Sequence, residues 1–210
     1  MRVQMQRGFT LLEIAIALAI VTTLAGLSYA ALGNMKKRAT YSNATTEVAQ
    51  ALRRMRAEAV GRGITTAFVV DTTGKRWWGV QAPAAGFNLD TFDPTAPGTV
   101  LASGTLPSDV SFAASSYAAL PAPFAQVPVT TAQGASLASC SFCKSSGTNS
   151  GFGAVLFTSN GAASFAGASA ASSPTVIGQQ FSIKGTTGNL TRTFTVAVIR
   201  RSGVIEVFEQ

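Results

Sequence analysis

From Phe9 to Gly33 the chain is apolar apart from a few small polar residues, and Glu13 is the one side chain there that is charged at neutral pH. Roughly 20 apolar residues cross the hydrocarbon core of a bilayer as a helix, so the run predicts a membrane-spanning helix over 9–33. A short polar leader, Met1 to Gly8, precedes it and carries Arg2 and Arg7. Basic residues ahead of an apolar span hold that end in the cytoplasm, which sends the rest of the chain across. Lys36, Lys37 and Arg38 mark the far end of the run. The pattern then turns amphipathic over 34–61: Val48, Leu52, Met55 and Ala59 recur at spacings of 4, 3 and 4. Such spacing puts one apolar stripe on a helix, here predicted to dock against a sheet. Arg53, Arg54 and Arg56 fall mostly off the stripe and read as a solvated face. No proline interrupts Phe9 to Gly61, so one long helix is predicted. Gly26 and Gly33 are its weak points, by about 1 kcal/mol each relative to alanine, and Gly61 and Gly63 stop it.

After Gly63 the texture becomes that of strands, and residues 62–210 form one β-rich domain. Ile64 to Val70 is rich in β-branched and aromatic residues; Asp71-Thr72-Thr73-Gly74 supplies a turn, and Arg76 to Val80 returns. Trp77 and Trp78 point to opposite faces of an extended segment, one into the core and the other to a partly covered surface or a subunit contact. From about 81 to 150 the Pro, Ala, Ser, Thr and Gly content predicts long loops with short strands near Val110–Phe112 and Val127–Thr130. Regularity returns at 153–158. Asn160-Gly161 is a strong hairpin signal, with Ala162 to Phe165 as the second arm. Gln180 to Ile183 is a further strand, and Thr193 to Ile199 with Val204 to Phe208 closes the chain as a hairpin around Arg200-Arg201-Ser202-Gly203.

Composition narrows the chemistry. The chain has 16 Lys and Arg against 9 Asp and Glu, and removing the leader would lower its formal charge from +7 to +5. A basic balance suits an anionic partner or a solvated surface, the second being the default. With no histidine and no Ser or Cys nucleophile in a recognisable setting, acid–base and nucleophilic catalysis lack their usual groups. Cys140 and Cys143 form a lone Cys-x-x-Cys. A structural zinc site needs four Cys or His ligands, which one chain cannot supply here. An exported compartment is oxidising, so a small disulfide-closed loop is expected, with free thiols as the alternative. Asp90 and Asp93 are too few for the six to eight oxygens of a calcium site. No metal and no cofactor are expected.

Arg7-Gly8-Phe9-Thr10-Leu11-Leu12-Glu13 resembles the processing site of type IV pilins and type II secretion pseudopilins. The resemblance implies cleavage by a prepilin peptidase between Gly8 and Phe9, and N-methylation of the new amino-terminal Phe9. It also implies that Glu13 pairs with the methylated amine of a neighbouring subunit, since two charges costly in hydrocarbon offset each other at close range. Further along, the order of elements, with Ala51-Leu52-Arg53-Arg54-Met55-Arg56 and Phe157-Thr158-Ser159-Asn160-Gly161, is similar to the GspH/FimT group of minor pilins and pseudopilins. The implied fold is α+β and pilin-like, with a long amino-terminal helix packed on an antiparallel sheet. The implied partners are other pilins or pseudopilins, the peptidase, the inner-membrane assembly platform and the membrane. The implied place is the inner membrane with a periplasmic domain, then a pilus or pseudopilus near its tip.

Two other functions compete. A DNA-binding minor pilin would use Arg200 and Arg201, but the chain ends Glu206-Val207-Phe208-Glu209-Gln210, which repels phosphate, so nucleic acid is disfavoured. A membrane-anchored domain that never assembles would leave Glu13 unexplained.

Overall fold

The structure, a computed structural model, describes residues 10–84, 86–96, 100–113, 120–122, 124, 125, 127, 139–168, 177–187 and 190–209, without the side chains of 27–32, 34 and 187. It is α+β: a helix α1 (Leu11–Arg62) is followed, among the described residues, by nine antiparallel strands. By its contacts the chain divides into two units, residues 1–40 and 41–210. In the first unit, the described side chains from Thr10 to Gly26 are all exposed.

α1 has a defined stop. Gly63 takes φ +65°, and the Ile64 amide donates to the Ala59 carbonyl at 3.1 Å. That is a Schellman closure, which needs a left-handed residue that glycine adopts without penalty. Gly61 stays inside the helix, so of the two glycines expected to end it, Gly63 does the stopping.

The strands are β1 (Thr66–Asp71), β2 (Arg76–Gln81), β3 (Val100–Thr105), β4 (Val110–Phe112), β5 (Phe152–Phe157), β6 (Ala163–Ala166), β7 (Gly178–Thr187), β8 (Leu190–Ile199) and β9 (Ile205–Glu209). They form two sheets where one was expected: five strands in the order β3-β2-β1-β5-β6, and four in the order β4-β7-β8-β9. The β1–β2 turn is fixed by Asp71, whose Oδ1 accepts from the amides of Thr73 and Gly74 at 2.9 and 2.8 Å. In the β5–β6 turn, Asn160 Oδ1 accepts from the Thr158 hydroxyl at 2.6 Å and the Ala162 amide at 3.0 Å.

Inside the second unit, the helical segment from Tyr41 to Ala59 is the centre of the main core. Val48, Leu52, Met55 and Ala59 are fully buried, as their spacing predicts. They pack with Phe68, Val70, Trp77, Val155 and Phe157 from the five-stranded sheet and with Phe181, Ile183, Val196 and Val198 from the four-stranded one. At the start of this seam the Tyr41 ring lies so close to Gly185 of β7 that any Cβ there would run into it. The outer face of each sheet carries its own smaller core. Ala67, Val69, Trp78 and Val80 are covered by Phe87, Leu89 and Phe92; Ala197 and Ile199 are covered by Leu120, Phe124 and Val127.

Two expectations change here. Trp77 and Trp78 do face opposite ways, but both are buried, because the loop after β2 closes over Trp78. The middle region is also less of an elaboration than its composition implied. It supplies β3 to one sheet and β4 to the other, and its loops cover both outer faces. β3 was not anticipated, since an edge strand reading Val-Leu-Ala-Ser-Gly-Thr is only half-buried and shows no alternation. Val127 is described and is not in a strand; the rest of that expected strand, 128–130, lies outside the described residues.

The arginines also divide. Arg54 is exposed, as a solvated face requires. Arg56, however, donates from Nε to the Gly161 carbonyl at 3.2 Å and from Nη2 to the Ser202 carbonyl at 2.9 Å. Arg53 donates to the Ile205 carbonyl at 3.4 Å. The helix thus ties the β5–β6 turn to the β8–β9 turn through a guanidinium fork, and sequence spacing cannot show carbonyls that arrive from about 105 and 146 residues away. Replacing Arg56 by alanine should destabilise the globular unit by about 1.5–3 kcal/mol, the range for hydrogen bonds that involve a charged group. Denaturant unfolding followed by tryptophan fluorescence measures it; Arg54→Ala should stay within about 0.5 kcal/mol of wild type.

Candidate functional site

The first turn of α1 is built around Thr10 and Glu13. Glu13 Oε2 accepts from the Thr10 amide and from the Thr10 hydroxyl, each at 3.0 Å, and the Glu13 amide donates back to Thr10 Oγ1 at 3.3 Å. This is a reciprocal capping box with Thr10 at the N-cap and Glu13 three residues on. It satisfies helix-end amides that otherwise have no partner, and it puts a carboxylate where the helix dipole favours negative charge. Thr10 was missed as a site residue, although Thr-x-x-Glu ahead of an apolar run is a known start signal. Both Thr10 donors reach the same oxygen, and among the described residues no bond is made to Oε1.

The apolar positions around this cap are laid bare. Leu11, Leu12, Ile14, Ile16, Leu18 and Ile20 are all more than half exposed, an uncovered stretch far beyond the scattered apolar residues of an ordinary surface. Among the described residues no helix is long and apolar enough to cross a membrane. Gly8 and Phe9, the expected cleavage and methylation positions, lie outside the described residues. So do the side chains of 27–32 in the run expected to span.

The other sequence candidates sit in the globular unit and do not converge on one site. Cys140 and Cys143 are joined as a disulfide with Cα atoms 5.5 Å apart, and both are buried. The segment they staple connects the two sheets. Ser141 donates its amide to the Gln180 carbonyl of β7 at 2.8 Å, and Lys144 donates its amide to the Phe152 carbonyl of β5 at 2.8 Å. Arg200 lies with its guanidinium carbon 5.9 Å from the centre of the Phe165 ring, a cation–π distance. Arg201 is exposed at φ +63° in the same turn. Glu206 is exposed in β9.

Asp90 pairs with Lys144. Asp93 Oδ1 accepts from the Thr95 hydroxyl at 2.7 Å and its amide at 2.8 Å. Those two bonds, the hydroxyl first, hold the Asp93 carboxyl below the usual aspartate range. Among the described residues no group of three or more His, Cys, Asp or Glu side chains is placed to hold a metal.

Residues 4–29 match the family model for the prokaryotic N-terminal methylation motif. Among solved structures the chain is similar to the minor pseudopilin EpsH from the type 2 secretion system of Vibrio cholerae. The two are 12% identical, the match covers 80% of this chain and 95% of that one, and the TM-score is 0.43. Agreement at that level carries no argument about function. No curated protein matches the chain.

The staple between the sheets makes a specific prediction. Replacing both Cys140 and Cys143 by serine should lower the stability of the globular unit by about 2 kcal/mol, from the loop-entropy relation applied to a four-residue ring. Denaturant unfolding of the double variant and of wild type in reductant, each compared with oxidised wild type, measures this. The two should agree with each other.

Proposed function

We propose that this chain, whose first residues carry the methylation motif of the type IV pilin and pseudopilin superfamily, is a minor subunit of a pilus or secretion pseudopilus. The members of that superfamily are structural subunits and not enzymes. The observation that carries the reading is that the motif over residues 4–29 contains a capped carboxylate followed by an uncovered apolar stretch of helix.

In this reading a prepilin peptidase cuts between Gly8 and Phe9, and Phe9 is N-methylated. The helix then holds the chain in the inner membrane with residues from about 34 onward in the periplasm. A carboxylate within an apolar span is costly and marks a functional position with a partner. For Glu13 that partner is the methylated amine of Phe9 on an adjacent subunit. The Thr10 bonds occupy Oε2, so an incoming ammonium can add at Oε1 while the cap stays closed. A charge that is half-satisfied alone and fully satisfied beside a neighbour gives assembly its direction, because a subunit out of register leaves two charges in hydrocarbon. The uncovered apolar positions then pack against equivalent helices. A helix without proline from Phe9 to Gly61 favours a minor component, one that starts or caps the filament through contacts with other pilins and the assembly platform.

Intact mass and amino-terminal sequencing of the native protein test the entry step. In cells with the peptidase the mature chain should begin at N-methyl-Phe9; in cells lacking it, the leader should remain. An uncut chain in both would leave a plain anchored domain. Glu13→Ala should reduce incorporation into filaments at least about tenfold, since a buried charge left without its partner costs 3–5 kcal/mol, while membrane insertion persists. Immunoblotting of sheared filaments against membranes separates the two effects, and normal incorporation of the variant would refute the pairing role.

A further inference from the structure

The loop that covers the outer face of the five-stranded sheet leaves a cleft of about 190 Å³ between itself and β2, lined among others by Val80, Phe87, Asn88, Phe92 and Asp93. Its size decides what it can hold. Sites for drug-sized ligands run from about 300 to 1,000 Å³, so this one has room for a single side chain.

The cleft is preformed. Asn149 donates from its amide nitrogen to the Leu89 carbonyl at 2.7 Å and to the Phe92 carbonyl at 3.3 Å, and Lys144 pairs with Asp90. Below it, Trp78 stands between Phe92 at 5.8 Å and Phe152 at 5.9 Å. The rings of Phe87 and Phe92 are 5.9 Å apart and tilted by 46°; both are partly exposed. Asp93, an exposed residue of the lining, is held in place by Thr95 and, among the described residues, is in no salt bridge. Its neighbour Asp90 is already neutralised, so Asp93 is the charge the cleft offers, on a chain that is otherwise basic.

We propose that this cleft is a docking site for an arginine side chain presented by another protein chain. A guanidinium is planar, stacks on aromatic faces and presents a fork of donors to a carboxylate. Phe87 and Phe92 provide the faces and Asp93 the acceptor. A lysine ammonium meets the charge but not the planar geometry, and a neutral side chain meets neither. Charge complementarity selects a basic occupant, and the open, side-chain-sized mouth suits a residue borne on a protein surface. The proposal concerns the globular unit and stands whether or not the chain enters a filament.

The test is an NMR titration of the full chain in a neutral detergent with N-acetyl-arginine amide. Its uncharged isostere N-acetyl-citrulline amide, N-acetyl-lysine amide and free arginine serve as comparisons. Saturable shifts confined to residues 80–96 and the Trp78 indole are expected with capped arginine, with lysine weaker and citrulline weaker still. Asp93→Asn keeps an Oδ1 acceptor for the Thr95 bonds and so spares the loop; it should weaken capped arginine about tenfold. Phe87→Ala should weaken it as well. Equal binding of citrulline and arginine, an unchanged affinity in Asp93→Asn, or no saturable shift would each overturn the site. Tighter binding of free arginine than of the capped form would overturn the assignment to a protein partner.

Discussion

Burial of one apolar face of α1 against two sheets at once is the constraint on which the globular unit depends. Neither sheet has an inner face that could close without the helix, since Phe68, Val70 and Trp77 on one side and Phe181, Ile183 and Val196 on the other meet the same stripe of Tyr41, Val48, Leu52 and Met55. Removing any of the large members from such a seam leaves a cavity that facing strands cannot collapse to fill, which costs about 2–5 kcal/mol for a Leu or Met truncated to alanine. The close approach of Tyr41 to Gly185 and the guanidinium fork of Arg56 add direction to a contact that hydrophobicity alone would leave free to slide.

Because the helix takes the inner faces, both outer faces need other cover. The chain solves this twice with loop segments from its middle region, and the two solutions differ in consequence. Over the four-stranded sheet the cover among the described residues includes Leu120, Phe124 and Val127. Over the five-stranded sheet it is an aromatic cluster around Trp78 whose loop is pinned by Asn149 and Lys144. A pinned loop with unfilled space beneath it suits the docking proposed, because little ordering cost remains to be met on binding.

The amino-terminal turn obeys a different balance. Its Thr10–Glu13 cap is made wholly from neighbouring residues, so it forms wherever the helix forms. The apolar positions beyond it have no cover within the described residues. Local chemistry is complete there and long-range burial is missing, which is the condition of a segment that finishes its packing against something else: lipid first and equivalent helices afterwards, in the function proposed.

What the residues determined by themselves was everything that depends on nearest neighbours along the chain. The buried stripe from Val48 to Ala59, the stop at Gly63, the Asp71 and Asn160 turns and the amino-terminal motif are of this kind, because helix period, caps and turn chemistry act over three to five residues. Tertiary structure alone decided the division into two sheets, the strand at Val100–Thr105, the burial of both tryptophans and the work given to Arg56. Each of these rests on partners brought from distant parts of the chain. An edge strand of small residues carries no alternation by which to announce itself, and an arginine off the apolar stripe looks solvated until two turns place their carbonyls beside it. Such pairings are set by how the whole core closes, and no local pattern encodes them.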